Sequence, residues 1–119
     1  MARILLAEDD DSLRAFLARA LVRAGHEVDA VADGDAALAA LDQADYDLLL
    51  ADIVMPGTDG IEVARRAGAG WPSLRIMLIT GFAAMMVRAQ GAGLSRARIM
   101  AKPMHLRELV DRVEDVLAA

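Results

Sequence analysis

The stretch YDLLLA, residues 46–51, followed at once by Asp52, decides the fold. Its apolar run has none of the polar alternation of a half-solvated strand. It reads as a strand covered on both faces, as in a parallel sheet. RILLA at 3–7 and RIMLI at 75–79 have the same character, the first running into Glu8, Asp9, Asp10 and Asp11 and the second into Thr80. HEVDAV at 26–31 and ARIMA at 97–101 give two weaker strands.

Helical patterns separate these runs. Leu13, Phe16, Leu17, Ala20, Leu21 and Ala24 recur at three- and four-residue steps, with Gly25 placed to end the helix, and Leu106, Leu109, Val110, Val113, Val116 and Leu117 repeat the pattern at the other end of the chain. DGDAALAALDQA at 33–44 opens on an Asp suited to N-capping; Asp59 or Gly60 opens another helix reaching Gly68, and residues 82–93 form a fifth, short one. Strand and helix thus alternate five times. The expected fold is α/β, a doubly wound five-stranded parallel sheet in the order 2-1-3-4-5 flanked by five helices, the flavodoxin-like arrangement.

A length of 119 residues suits one domain spanning 1–119, and the expectation is that no output domain accompanies it. Aromatic residues make up only 3% of the chain, so Leu, Ile, Val, Met and Ala must build the core. No cysteine means no disulfide framework, and acids at position 8 onward exclude a signal peptide. No apolar run approaches the ~20 residues of a spanning helix. The expected location is cytoplasmic, with no membrane partner. A net charge of −5 argues against nucleic acid as a partner, because such binding is driven by phosphate neutralisation.

In an open parallel sheet, ligands bind outside the carboxyl ends of the strands. The residues just beyond each apolar run therefore share one rim: Glu8 and Asp9 after the first strand, Asp52 after the third, Thr80 after the fourth and Lys102 after the fifth. Strands one and three are neighbours in this order, ~4.8 Å apart, so Asp9 and Asp52 can share a cation. Clustered carboxylates repel unless a cation intervenes. Mg²⁺, which takes oxygen ligands and keeps several waters, suits this set better than zinc. With a hydroxyl and an ammonium beside it, Asp52 reads as the nucleophile of a phosphoryl transfer that forms an aspartyl phosphate. Lys102 is the only lysine; the other twelve of the thirteen basic residues are arginine. A compact charge on a flexible stem can follow a group that arrives and leaves, whereas a planar fork favours fixed bidentate pairing. Pro103 restricts the backbone of Lys102 to extended geometry. Taken singly, Thr80 reads as a strand-end residue making a local backbone hydrogen bond and Lys102 as a solvated charge, while Asp10 and Asp11 read as helix-capping acids, His26 and His105 as surface or helix-entry residues, and Met100 as core.

ILLAEDDDSLR, DLLLADIVMPGTDG, LITG and AKP, in this order and spacing, resemble the receiver domain of two-component response regulators over the whole chain. The resemblance implies Asp52 as phosphoacceptor, Glu8, Asp9 and Asp52 as Mg²⁺ ligands with the backbone carbonyl of Val54, Thr80 as the switch hydroxyl and Lys102 as the phosphate-binding lysine. It also implies a histidine kinase or histidine phosphotransfer protein as donor, and autodephosphorylation by water, so the chain is a signalling phosphoacceptor and not an enzyme acting on other substrates. Two positions depart from the usual pattern. Ile99 stands where the family often has an aromatic switch residue, and Met104 follows Lys-Pro where Phe is common. With Pro103, these two are the expected switch and output positions.

RILLAEDDDSLRAFLARAL, ITGFAA and KPMHLRELV are further similar to CpdR-type single-domain regulators, whose unphosphorylated form primes the ClpXP protease. That likeness implies ClpX or ClpXP as a partner. The alternatives are a phosphorelay shuttle to a histidine phosphotransfer protein, or a receiver fragment of a larger regulator. An aspartate-based phosphatase is disfavoured, since Val54 stands where it would carry a second acid. A flavodoxin-like cofactor carrier is disfavoured by the four acids after the first strand.

Overall fold

The computed structural model describes residues 1–94, 97–102 and 105–119, and of Ala83, Ala84 and Met86 only the backbone. The elements alternate as β1 (Arg3–Ala7), α1 (Asp11–Arg23), β2 (Glu27–Val31), α2 (Gly34–Gln43), β3 (Leu48–Asp52), α3 (Gly60–Gly70), β4 (Arg75–Thr80), α4 (Ala83–Gln90), β5 (Ala97–Ala101) and α5 (Leu106–Ala118). The sheet order is β2-β1-β3-β4-β5, and all four pairings are parallel, as the apolar runs predict.

Continuous apolar runs are needed because both faces of the sheet are covered. Leu5, Ala7, Leu49, Ala51, Ile76 and Leu78 point into a core roofed by α2, α3 and α4. Their neighbours Ile4, Leu6, Leu48, Leu50, Met77 and Ile79 point into a second core under α1 and α5. Every residue of β3 is buried. The edge strands β2 and β5 are mostly exposed or half-buried, so their sequences are mixed and their signals weaker.

Helix starts follow capping chemistry. Asp10, Asp33 and Asp59 each accept the amide of the residue three positions on, at 2.8, 2.7 and 2.9 Å. Asp11 lies in the first turn of α1, Gly25 follows that helix at φ +100°, and His105 is the N-cap residue of α5. Met100 is buried in the second core. No helix among the described residues is long and apolar enough to cross a membrane.

Some expectations change. α3 runs to Gly70, and β3 begins at Leu48, just after Tyr46 and Asp47. Tyr46 donates to Asp29 at 2.7 Å under the Arg3 guanidinium, and the Asp47 carboxylate accepts the Arg3 amide at 2.8 Å. Phe16 is 52% exposed: Leu17 and Leu21 carry the buried stripe of α1, and Phe16 sits beside it in a groove with Leu106 and Val110 of α5. His26 is not a surface residue. It is buried where β2 begins, its Nδ1 accepts the Ala2 amide at 3.1 Å, and its Nε2 meets Glu114 of α5 at 2.6 Å. Pro103 and Met104 lie outside the described residues.

Candidate functional site

The carboxyl ends of β1, β3, β4 and β5 form the rim at which the predicted residues meet. β1 pairs with β3 through Ala7↔Ala51, so Glu8 and Asp52 leave adjacent strands at the same height. Their carboxylate oxygens and that of Asp9 all lie within 4.8 Å of one another. Glu8 and Asp52 are buried, while Asp9 faces solvent.

Lys102 closes the group. Its Nζ donates at 2.8 Å both to Glu8 Oε1 and to Asp52 Oδ2, across a sequence distance that only the sheet order removes. The end of β5 is held by β4, where the Lys102 amide donates to the Thr80 carbonyl at 2.7 Å. Around the acids, the Asp10 amide donates to Glu8 Oε2 at 3.1 Å and the Val54 amide to Asp52 Oδ1 at 3.2 Å.

Burial pushes the Glu8 carboxyl above its ordinary range, the Lys102 ammonium and the Asp10 amide oppose that rise, and the Asp52 charge adds to it. For Lys102 burial alone would favour the neutral amine, but its hydrogen bonds to Asp52 and Glu8 prevail and its pKa is raised. The two carboxylates thus favour the charged ammonium. Three carboxylates still face one ammonium. This donor set is all oxygen and anionic, which fits a hard divalent cation and offers nothing to a metal that prefers sulfur or imidazole.

Thr80 ends β4 and is 1% exposed. It stands one residue beyond Ile79, the partner of Asp52 in the sheet, and its hydroxyl oxygen accepts the Phe82 amide at 3.2 Å. This is the local strand-end bond open to any threonine. Val54 is exposed. Ile99, in β5 beside Leu78, packs on the core under α2, α3 and α4.

Three side chains at the rim make contacts that the sequence does not single out. Arg14 reaches back from α1 to the Glu8 carbonyl at 3.0 Å and to Asp11 at 2.7 Å. Thr58 donates to Asp35 at 2.6 Å, and Arg88 of α4 meets Asp59 at 3.1 Å. The last two join residues more than twenty positions apart, which no local pattern announces.

Comparison with known proteins agrees with this geometry. Residues 4–114 match the family described as "Response regulator receiver domain". The chain is 48% identical over 119 residues to the response regulator receiver protein CpdR of Brucella abortus (strain 2308), covering 100% of this chain and 99% of that protein. It is 40% identical over 111 residues to the transcriptional regulatory protein TcrA of Mycobacterium tuberculosis, where the match takes 93% of this chain but only 44% of the relative. Among solved structures, the response regulator TrrA of Thermotoga maritima, in complex with Mg²⁺ and BeF, superposes with a TM-score of 0.88 at 29% identity over 98% of this chain and 99% of that one. With the sheet order, the rim of acids and a family match that runs almost end to end all in agreement, this chain belongs to the response regulator receiver domains of two-component systems.

Proposed function

We propose that this protein is a phosphoacceptor switch in which Asp52 takes a phosphoryl group from a phosphohistidine of a histidine kinase or histidine phosphotransfer protein. One observation carries the reading: the buried Asp52 carboxylate shares the Lys102 ammonium with Glu8, at the rim where Asp9 also sits.

An Asp52 oxygen attacks phosphorus while the P–N bond to the donor imidazole breaks, and the electron pair leaves on the imidazole nitrogen. The product is an acyl phosphate. Lys102 turns from the carboxylates to a phosphoryl oxygen, and the Thr80 hydroxyl supplies a second donor once the group has arrived. Glu8, Asp9, Asp52 and the Val54 carbonyl would hold Mg²⁺, which would supply positive charge opposite oxygens that gain negative charge in the transition state. Water later attacks phosphorus, the bond to the Asp52 oxygen breaks, and inorganic phosphate leaves the restored carboxylate. The chemistry is self-directed and turns over no other substrate.

The output is binding to another protein in the cytoplasm, by a regulator acting as a single domain. Similarity to CpdR over 99% of that relative's length supports control of ClpXP-type proteolysis by the unphosphorylated form. Asp52→Ala is expected to keep the fold and abolish labelling by acetyl phosphate; undiminished labelling removes Asp52 from its role. Capture from cell extract tests the output. Recovery of ClpX by Asp52→Ala and not by the phosphorylated protein supports proteolytic control, whereas recovery of a histidine phosphotransfer protein alone assigns a relay instead.

A further inference from the structure

Asp52 begins a loop, residues 53–59, whose far end is pressed between two backbones. On the inner side, Gly60 lies so close to β3 that a Cβ on it would stand 2.3 Å from the Asp52 carbonyl oxygen. On the outer side, the first turn of α2 leans on the same segment: a Cβ on Gly34 would stand 1.9 Å from the Thr58 carbonyl oxygen. Only glycine permits both approaches. The Asp35 carboxylate then closes over the loop. Its Oδ1 accepts the Thr58 hydroxyl at 2.6 Å, and its Oδ2 sits where a Cβ on Gly57 would be 2.6 Å away. Asp35 is exposed and stands in the first turn of α2, where the helix dipole favours its charge.

We propose that the Thr58–Asp35 hydrogen bond is a positioning clamp for the phosphoacceptor site: it holds the 53–59 loop against α2, and so sets where Val54 stands relative to Asp52. Val54 already touches Asp52 through its amide, and a loop free to lift from α2 carries that contact and the neighbouring carbonyl with it. Thr58 and Asp35 are positioning residues that act through the loop. The proposal rests on the reading of Asp52, Glu8 and Asp9 as a magnesium-dependent phosphoacceptor site.

The test is calorimetric titration of the unphosphorylated chain with Mg²⁺, which needs no phosphoryl transfer. Thr58→Val keeps the shape and removes the donor, and is expected to weaken Mg²⁺ binding about fivefold, the net size of one hydrogen bond. Thr58→Ser is expected to restore it. Labelling by acetyl phosphate should then show a raised half-saturating Mg²⁺ concentration with an unchanged rate at saturation. Asp35→Ala should reproduce the loss, while Asp35→Asn, which keeps the acceptor oxygen without the charge, should bind like the parent. Unchanged Mg²⁺ affinity in Thr58→Val overturns the clamp. So does an Asp35→Asn variant as weak as Asp35→Ala, because the effect is then that of a distant charge. Should Thr58→Val fold poorly, the two Asp35 variants decide the matter alone, since that side chain is exposed. Failure of the underlying reading looks different: the parent protein itself would neither bind Mg²⁺ nor label at Asp52.

Discussion

At the residue scale, Lys102 shows what a single side chain contributes. Its ammonium sits equally between two carboxylates, at 2.8 Å from each. Removing one of the three charges would leave the others buried and unbalanced. Lys102→Arg keeps the charge but replaces a point with a planar fork on a stiffer head. It is expected to retain Mg²⁺ binding and to lose the phosphorylation-dependent change, read as the amide shifts of Thr80 and Gly81 on adding acetyl phosphate; normal shifts would show that charge alone suffices. Away from the rim, Tyr46 offers a clean titration, because it is the sole tyrosine. Burial, with the Asp29 carboxylate accepting a hydrogen bond from the phenol and repelling the phenolate, lifts its pKa from 10.0 to about 12 against the opposing charge of Arg3. The folded chain keeps a proton that the unfolded chain releases near pH 10. This source of stability is therefore complete below pH 10 and is lost as the pH rises to about 12. Ultraviolet absorbance should place the phenol transition well above that of the urea-unfolded chain, and Asp29→Asn should lower it.

At the element scale, helix α3 carries a prediction of opposite signs at its two ends. Gly60→Ala drives a methyl into the Asp52 carbonyl at 2.3 Å, and overpacking of this kind costs about 1–3 kcal/mol. Gly70→Ala meets nothing within 4 Å and is expected to gain up to about 1 kcal/mol, because alanine loses less freedom in a helix. Urea midpoints of the two variants should move in opposite directions; a shared direction would mean that helix propensity, not packing, governs the site. The legibility of each element obeys the same physics. β1, β3 and β4 are readable because a strand buried on both faces leaves an unbroken apolar run. Asp10, Asp33 and Asp59 are readable because a cap lies next to the helix it caps. The meeting of Glu8, Asp9 and Asp52 results from the strand order once the alternation is seen. Phe16 and His26 depart from their sequence expectations because the choice between solvent and core is made by other elements, the stripe of α1 in one case and Glu114 of α5 in the other. The Thr58–Asp35 and Arg88–Asp59 contacts join loops to helices distant in sequence, and no periodicity encodes them.

At the scale of the whole molecule, one sheet serves two cores. Alternate residues of β1, β3 and β4 face α2, α3 and α4 on one side and α1 and α5 on the other, so neither core can loosen without uncovering the backbone that supports the other. This predicts a single cooperative transition in a domain of this size. Trp71, the only tryptophan, packs on the first core, whereas Leu109 is fully buried in the second. Leu109→Ala removes a core side chain from α5 and is expected to cost about 2–5 kcal/mol. Because the sheet couples the two faces, Trp71 fluorescence, which reports from the opposite side, should shift its urea midpoint by the same amount as far-ultraviolet circular dichroism. A Trp71 transition that stays in place while the dichroism moves would show that the two faces unfold separately. In that case a change at the rim could loosen α5 without disturbing α3, and the proposed switch would have independent halves; coincident transitions instead favour a signal from the proposed phosphoacceptor that is a small displacement of intact elements.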